Sequence, residues 1–148
     1  MASMSDALEI LVGDYIFRAQ TFTQPTVMAV ALLSAVADDD DTGNFDAETG
    51  TEVSVTPDYG YLRKDHPQAG GTNWGQTTGT ISNATAITFA PASGGAWTGP
   101  LLGIALCGSA SRTTGPMYFH GALTDQTKTI GDGDTANFAI GAITIAFA

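Results

Sequence analysis

The sequence closes on its most restrictive pattern. Ala136, Phe138 and Ile140 alternate with Thr135, Asn137 and Ala139; after Gly141, Ile143, Ile145 and Phe147 alternate with Ala142, Thr144 and Ala146. Residues two apart share one face of a strand, so this alternation marks strands with one face in a core. Gly141 reads as the break between a terminal pair of strands. The same logic runs back through the C-terminal half, Ser82 to Ala148. Thr85, Ile87 and Phe89 alternate with Ala84, Ala86 and Thr88; Leu101 to Cys107 is an apolar run expected to be a buried strand; Met117 to Leu123 is the next. Between them lie a loop, Pro91 to Pro100, that carries Trp97, a connection of hairpin length, Gly108 to Gly115, and a last loop, Thr124 to Asp134.

The N-terminal half adds a different period. Leu8, Leu11, Val12, Tyr15 and Ile16 recur at helical spacing over residues 6–18, the stripe of an amphipathic helix. Ser5 or Asp6 can cap it, Asp6 with Glu9 has capping-box spacing, and Arg18 falls in the last turn. Ile10 and Phe17 fall off the stripe, free to pack or to face a second subunit. After the connector Thr21 to Thr26, the run Val27 to Val36 is apolar at odd and even positions alike, as a strand covered on both faces would be. The helix is expected to lie over it. Thr51 to Val55 and Tyr59 to His66 read as further short strands, the latter with Tyr59, Tyr61 and Arg63 on one side. Pro67 to Gly79 has the Gly, Thr, Asn and Gln content of a long polar loop, with Trp74 in it.

With 148 residues, the chain suits one domain, residues 1–148, able to bury roughly 68–70% of its unfolded surface without a disulfide or metal. The net charge is −10, from 15 acids and 5 bases. Arg18, Arg63, Lys64, Arg112 and Lys128 form no basic stripe, which argues against a nucleic-acid partner. No secretion signal is expected, since Met1 to Asp6 lacks a basic segment followed by an apolar run. The longest apolar run is far short of the ~20 residues of a membrane helix. The single cysteine, Cys107, reads as a small buried hydrophobe.

Catalytic chemistry finds little to work with. His120 lies inside a strand, where a structural role is expected, and His66 before Pro67 reads as a surface loop residue. A Cys107–His120 pair is conceivable across neighbouring strands, but nothing in the sequence supplies an orienting group. One Cys and two distant His make no zinc pattern, and no phosphate-cradling glycine motif precedes a helix. In the acidic loop 38–50, Asp38, Asp40, Thr42, Gly43 and Asp46 match five positions of a calcium loop, but Thr49 stands where the bidentate Glu belongs; a solvated tip is expected. Asp132 and Asp134 beside glycines read as turn residues. No catalytic, cofactor or metal residue is therefore assigned.

The order of several short motifs carries more. A helix is followed by Thr23-Gln24-Pro25 and a strand; then come Thr51-Glu52-Val53, Gly60-Tyr61, Ser82-Asn83 before a strand ending Thr88-Phe89, Trp97 ahead of Gly103-Ile104, Tyr118 with His120-Gly121 and Leu123, and finally Gly133-Asp134-Thr135 with Phe138 and Gly141. This layout, over nearly the whole chain, resembles the small structural proteins of tailed phages commonly labelled tail fibre proteins, some of which are capsid cement or decoration subunits. The resemblance implies a non-enzymatic virion component that binds the major capsid protein as a cement or decoration protein, or else tail proteins as a fibre attachment subunit, and that self-associates, as a trimer.

The expected fold is mainly β, a jelly-roll-like antiparallel sandwich of about seven or eight strands with one N-terminal helix. Candidate contact residues are Trp74, Trp97, Tyr61, Ile10 and Phe17. Trp74, Trp97 and Tyr61 would also serve a rival reading, a carbohydrate-binding module with aromatic stacking platforms; a small hydrolase using Cys107 and His120 is a third.

Overall fold

Apolarity on both faces of one segment sets the centre of the architecture. The computed structural model describes residues 3–23, 25–35, 52–53, 57–67, 72–112 and 114–146. Along the chain its elements are β1 (Ser3–Met4), α1 (Asp6–Phe17), β2 (Ala29–Leu33), β3 (Lys64–Asp65), β4 (Trp74–Thr77), β5 (Thr80–Asn83), β6 (Ile87–Thr88), β7 (Gly103–Cys107), β8 (Met117–Ala122), β9 (Asn137–Phe138) and β10 (Thr144–Ala146). Every residue of β2 is buried. It lies between β7 and β3 in a five-stranded antiparallel sheet of order β1-β8-β7-β2-β3. Ala29 stands opposite Cys107 and Leu33 opposite Gly103.

The two faces of this sheet have different fillings. Val30, Leu32 and Leu106 point into the main core, with Ile104 and Phe119 at its edge. Ala31, Leu33, Ala105, Cys107 and Met117 form a smaller cluster of their own. The second layer consists of a three-stranded sheet, β10-β5-β4, and the pair β6-β9. It contributes Ile87 and Ile145, with Trp74, Ile81 and Phe138 partly buried against the same core. The protein is mainly β, antiparallel throughout, with a single helix among the described residues. The strands are shorter and more numerous than the seven or eight expected, because loops such as 89–101 supply core residues (Phe89, Ala92, Trp97, Leu101) without being strands.

The terminal alternation holds for Ile143 and Ile145, buried between exposed neighbours, but fails at Ile140, expected on the core face and 70% exposed beyond the end of β9. The two runs do not pair with each other, however: β9 joins β6 and β10 joins β5. Asn83, fully buried at the end of β5, separates them. Its amide Nδ2 donates to Thr85 O at 2.8 Å and Ala139 O at 2.9 Å, its Oδ1 accepts from Ile143 N at 2.9 Å, and its backbone carbonyl accepts from Gly141 N at 2.9 Å. One residue, through its side chain and its backbone, thus bonds Ala139, Gly141 and Ile143, which a hairpin ladder would otherwise have paired.

Pro67 to Gly79 is not all loop. Residues 74–77 pair with 80–83 through a tight turn at Thr78 and Gly79, both with positive φ (47° and 78°), the mirror-image turn that suits strand twist. The acidic loop 38–50, with its candidate calcium ligands, residues 51 and 54–55 of the Thr51–Val55 strand and residues 68–71 of the polar loop lie outside the described residues.

Candidate docking surface

Among the described residues, the buried carboxylate and guanidinium meet in one clamp. Glu52 bridges to Leu33 beside β2, and Tyr61 and Arg63 reach it from the following segment. Arg63 donates to both carboxylate oxygens of Glu52, Nε to Oε1 at 3.0 Å and Nη2 to Oε2 at 2.9 Å; its Nη1 donates to Ser109 O and Thr114 O at 2.9 and 2.8 Å. Tyr61 donates to Glu52 Oε1 at 3.0 Å and accepts from Leu32 N at 2.9 Å. Neither charged side chain is exposed. Taking two charges out of water is tolerable here because the pair is bidentate and the remaining donors find carbonyls. Burial, reinforced by the Glu52 carboxylate, pushes the Tyr61 hydroxyl well above its usual range. Burial opposes the Arg63 charge, but the Glu52 hydrogen bond and the nearby negative groups outweigh it and raise the guanidinium above its ordinary value.

The clamp shares its neighbourhood with an aromatic cluster. Tyr61 stacks near-parallel to Phe89 at 6.3 Å and meets Trp97 edge-on at 5.2 Å, and Phe89 in turn meets Trp97 and Phe138. Tyr61 is fully buried and Trp97 only 3% exposed. Both were expected at a contact surface. They are core residues instead, since Trp97 folds inward to donate from Nε1 to Tyr59 O at 3.3 Å. Tyr59 turns the chain with φ 44°, and a Cβ at Gly95 would stand 2.5 Å from its ring, so glycine is required there. With two of three platforms sealed inside, the stacking face of a carbohydrate module is not assembled.

Trp74 is half-buried. Its Nε1 donates to His66 O at 3.1 Å, and its ring meets the His66 imidazole edge-on at 5.0 Å. His66 is therefore not a surface residue: it is buried, and Nε2 lies 3.1 Å from Asn73 O, the arrangement of a ring N–H donating to a carbonyl. His120 and Cys107 are buried as well. The register sets Cys107 against Met117 and His120 against Ala105, so the two are not a facing pair. An open cleft of about 210 Å³ lies between β8 and the β9–β10 segment, lined by Leu106, Phe119, His120, Phe138 and Ile145 among others. Among the described residues no cluster of His, Cys, Asp or Glu could hold a metal, and no helix is long and apolar enough to cross a membrane.

What the interior absorbs, helix α1 leaves uncovered. Ser5 caps it, accepting from Leu8 N at 3.4 Å, while its hydroxyl donates to Met117 O and its amide donates to Tyr118 O. The first turn is thereby fastened to β8, not to β2 as the sequence stripe implied. Leu8 is the one buried residue of the helix; beyond it only Val12 of the stripe is half-buried, and the others are exposed. Leu11 is 40% exposed, Ile10 64%, Ile16 61% and Phe17 84%. Tyr15, also exposed, touches only Phe22 edge-on among the described aromatic rings. The exposed contact candidates are thus Ile10 and Phe17, with Trp74 half-covered.

The Glu52–Arg63 clamp escapes sequence reading because a charge ordinarily signals surface. The period-two placement of Tyr61 and Arg63 was the available sign that both point the same way.

Comparison with known proteins locates this architecture. No curated protein matches the chain. The model of the family described as Podophage GP4 fiber I protein gp80 matches residues 3–146, from the first strand to the last; the chain belongs to that family of phage fibre-related structural proteins.

Proposed function

We propose that this chain is a non-enzymatic structural subunit of a bacteriophage virion, held in the tail or fibre apparatus, which works by binding its neighbours. The observation that carries the reading is the family match across 3–146, whose description names a fibre protein of a podophage. That description favours a tail or fibre position over the capsid-cement position that the sequence layout first implied. The geometry is consistent with binding: Glu52, Tyr61 and Arg63 bond one another in the interior, and most of the exposed large apolar residues lie on α1, with Phe22, Leu62 and Ile140 elsewhere. The charge of −10 suits a basic patch on a tail neighbour, so attachment should weaken as salt rises.

Gold-labelled antibody against the chain, imaged on purified particles, tests the position. Gold at the tail supports the proposal. Gold over the capsid faces returns the chain to the cement role, and particles without label remove it from the mature virion.

A further inference from the structure

Helix α1 carries a row of residues that the rest of the chain does not use. Leu8 anchors the helix to β8, and Phe17 lies nine residues on, about 180° around the helix from it. Phe17 therefore points directly away from the sheet. Ile10, Gly13 and Phe17 follow each other at i, i+3 and i+7 along this outer line. Glycine in a helix interior weakens the helix relative to alanine. Nothing inside the chain asks for it, since a Cβ at Gly13 would meet no atom within 4 Å. The row is thus a notch between two large apolar side chains, the shape that lets a second helix approach closely.

We infer that this row is a self-association surface, on which α1 of a second copy of this chain packs antiparallel, crossing at Gly13. The row is its own complement: a two-fold axis through the notch sets each Phe17 beside the partner helix's Ile10 position and leaves the two glycines at the crossing. Charge selects the direction. Asp6 and Glu9 lie in the first turn, while at the other end Arg18 is already paired with Asp14 at 3.0 Å, so an antiparallel pair sets each acidic turn against a neutral end while a parallel pair stacks acids on acids. Area sets the strength. Ile10 and Phe17 expose on the order of 300 Å² per copy, or roughly 600 Å² for the pair, below the ~1,200 Å² at which specific interfaces begin and in the range of weak encounters. That size implies a reversible, concentration-dependent dimer. The inference concerns the isolated chain and stands apart from where the subunit sits on the particle.

Sedimentation of the purified chain over a dilution series tests it. Wild type should pass from monomer to dimer with concentration. Phe17→Gln should weaken the dimer roughly tenfold or more, as loss of a central aromatic anchor does. Gly13→Ala should also weaken it, while melting of the dilute monomer stays the same or rises, because alanine favours the helix and meets nothing in the chain. Raising salt should tighten a contact between two copies that are each acidic, whereas docking to a basic tail neighbour would loosen. A wild-type chain that stays monomeric at its solubility limit overturns the inference, as does a dimer that neither substitution weakens.

Discussion

The clamp and the helix invert the usual placement of charge and grease. Glu52 and Arg63 are sealed inside with every bond made within the chain, while Phe17 and Ile16 stand in water. A buried ion pair is stable only when its geometry is complete, so the clamp describes a finished interior. An apolar helix row has no such completeness within one chain, which is why it reads as the surface where another molecule belongs. Satisfaction, more than polarity, separates the structural region from the docking region.

The sharpest way to break this contrast is to leave one charge of the clamp alone. Glu52→Gln should cost about 3–5 kcal/mol in urea unfolding, because Arg63 stays buried without its counter-charge. A loss under about 1 kcal/mol would show that water reaches the clamp and that it is not a sealed interior. Next in size is Asn83→Ala, expected to cost about 1–3 kcal/mol by orphaning Ile143 N, while Ala139 O keeps its bond from Ala142 N. Amide exchange there should rise over residues 139–143 before it rises in β7.

Alkaline titration sharpens the comparison from another side. Tyr61 is raised above its ordinary value by burial and by Glu52, and Tyr118 by burial and by Cys107. Above pH about 10 the unfolded chain sheds these protons while the folded one keeps them. Stability should therefore fall as pH rises past that value, by up to about 1.4 kcal/mol per pH unit for Tyr61 and by less for Tyr118, whose environment is more open to solvent. Tyr61→Phe should flatten that slope in melting curves across the same range; an unchanged slope would exonerate Tyr61. The smallest effects belong to the helix. Leu11→Ala should cost under about 1 kcal/mol and Phe17→Gln within about 0.5 kcal/mol in the dilute chain, against the ~2–5 kcal/mol that a packed leucine would lose. A large loss at Leu11 would put the helix back in the core.

Strand positions were legible wherever one rule sufficed. Two-faced apolarity identified β2, and alternation identified Ile143 and Ile145 as buried. Pairing was less legible, because it is decided by distant groups: Gly141 looks like a hairpin turn until Asn83, some sixty residues earlier, takes up the backbone around it. Trp74 was misread as a loop residue because a half-exposed strand such as Trp74–Thr77 has no apolar alternation to show, though Thr78-Gly79 was a turn signal. The helix stripe was real as a pattern. A pattern states that a face wants cover without stating whose side chains provide it, and here β8 reaches only the first turn. For the same reason Trp97 and Tyr61 could not be told from surface aromatics by the polarity of their loops.

The fastening of Ser5 to Met117 and Tyr118 has a consequence in time. The two ends of that contact are 112 residues apart, so a ribosome that has just released α1 has most of the chain still to make before β8 exists. At roughly 5–20 residues per second, the helix waits many seconds with its seat unbuilt and its apolar row bare. The first helix synthesised is seated only after most of the chain is made, and polysomes crowd such nascent helices together. A row shaped to meet its own copy can then meet it before the sandwich closes, so assembly and folding of this protein would overlap on the message that encodes it.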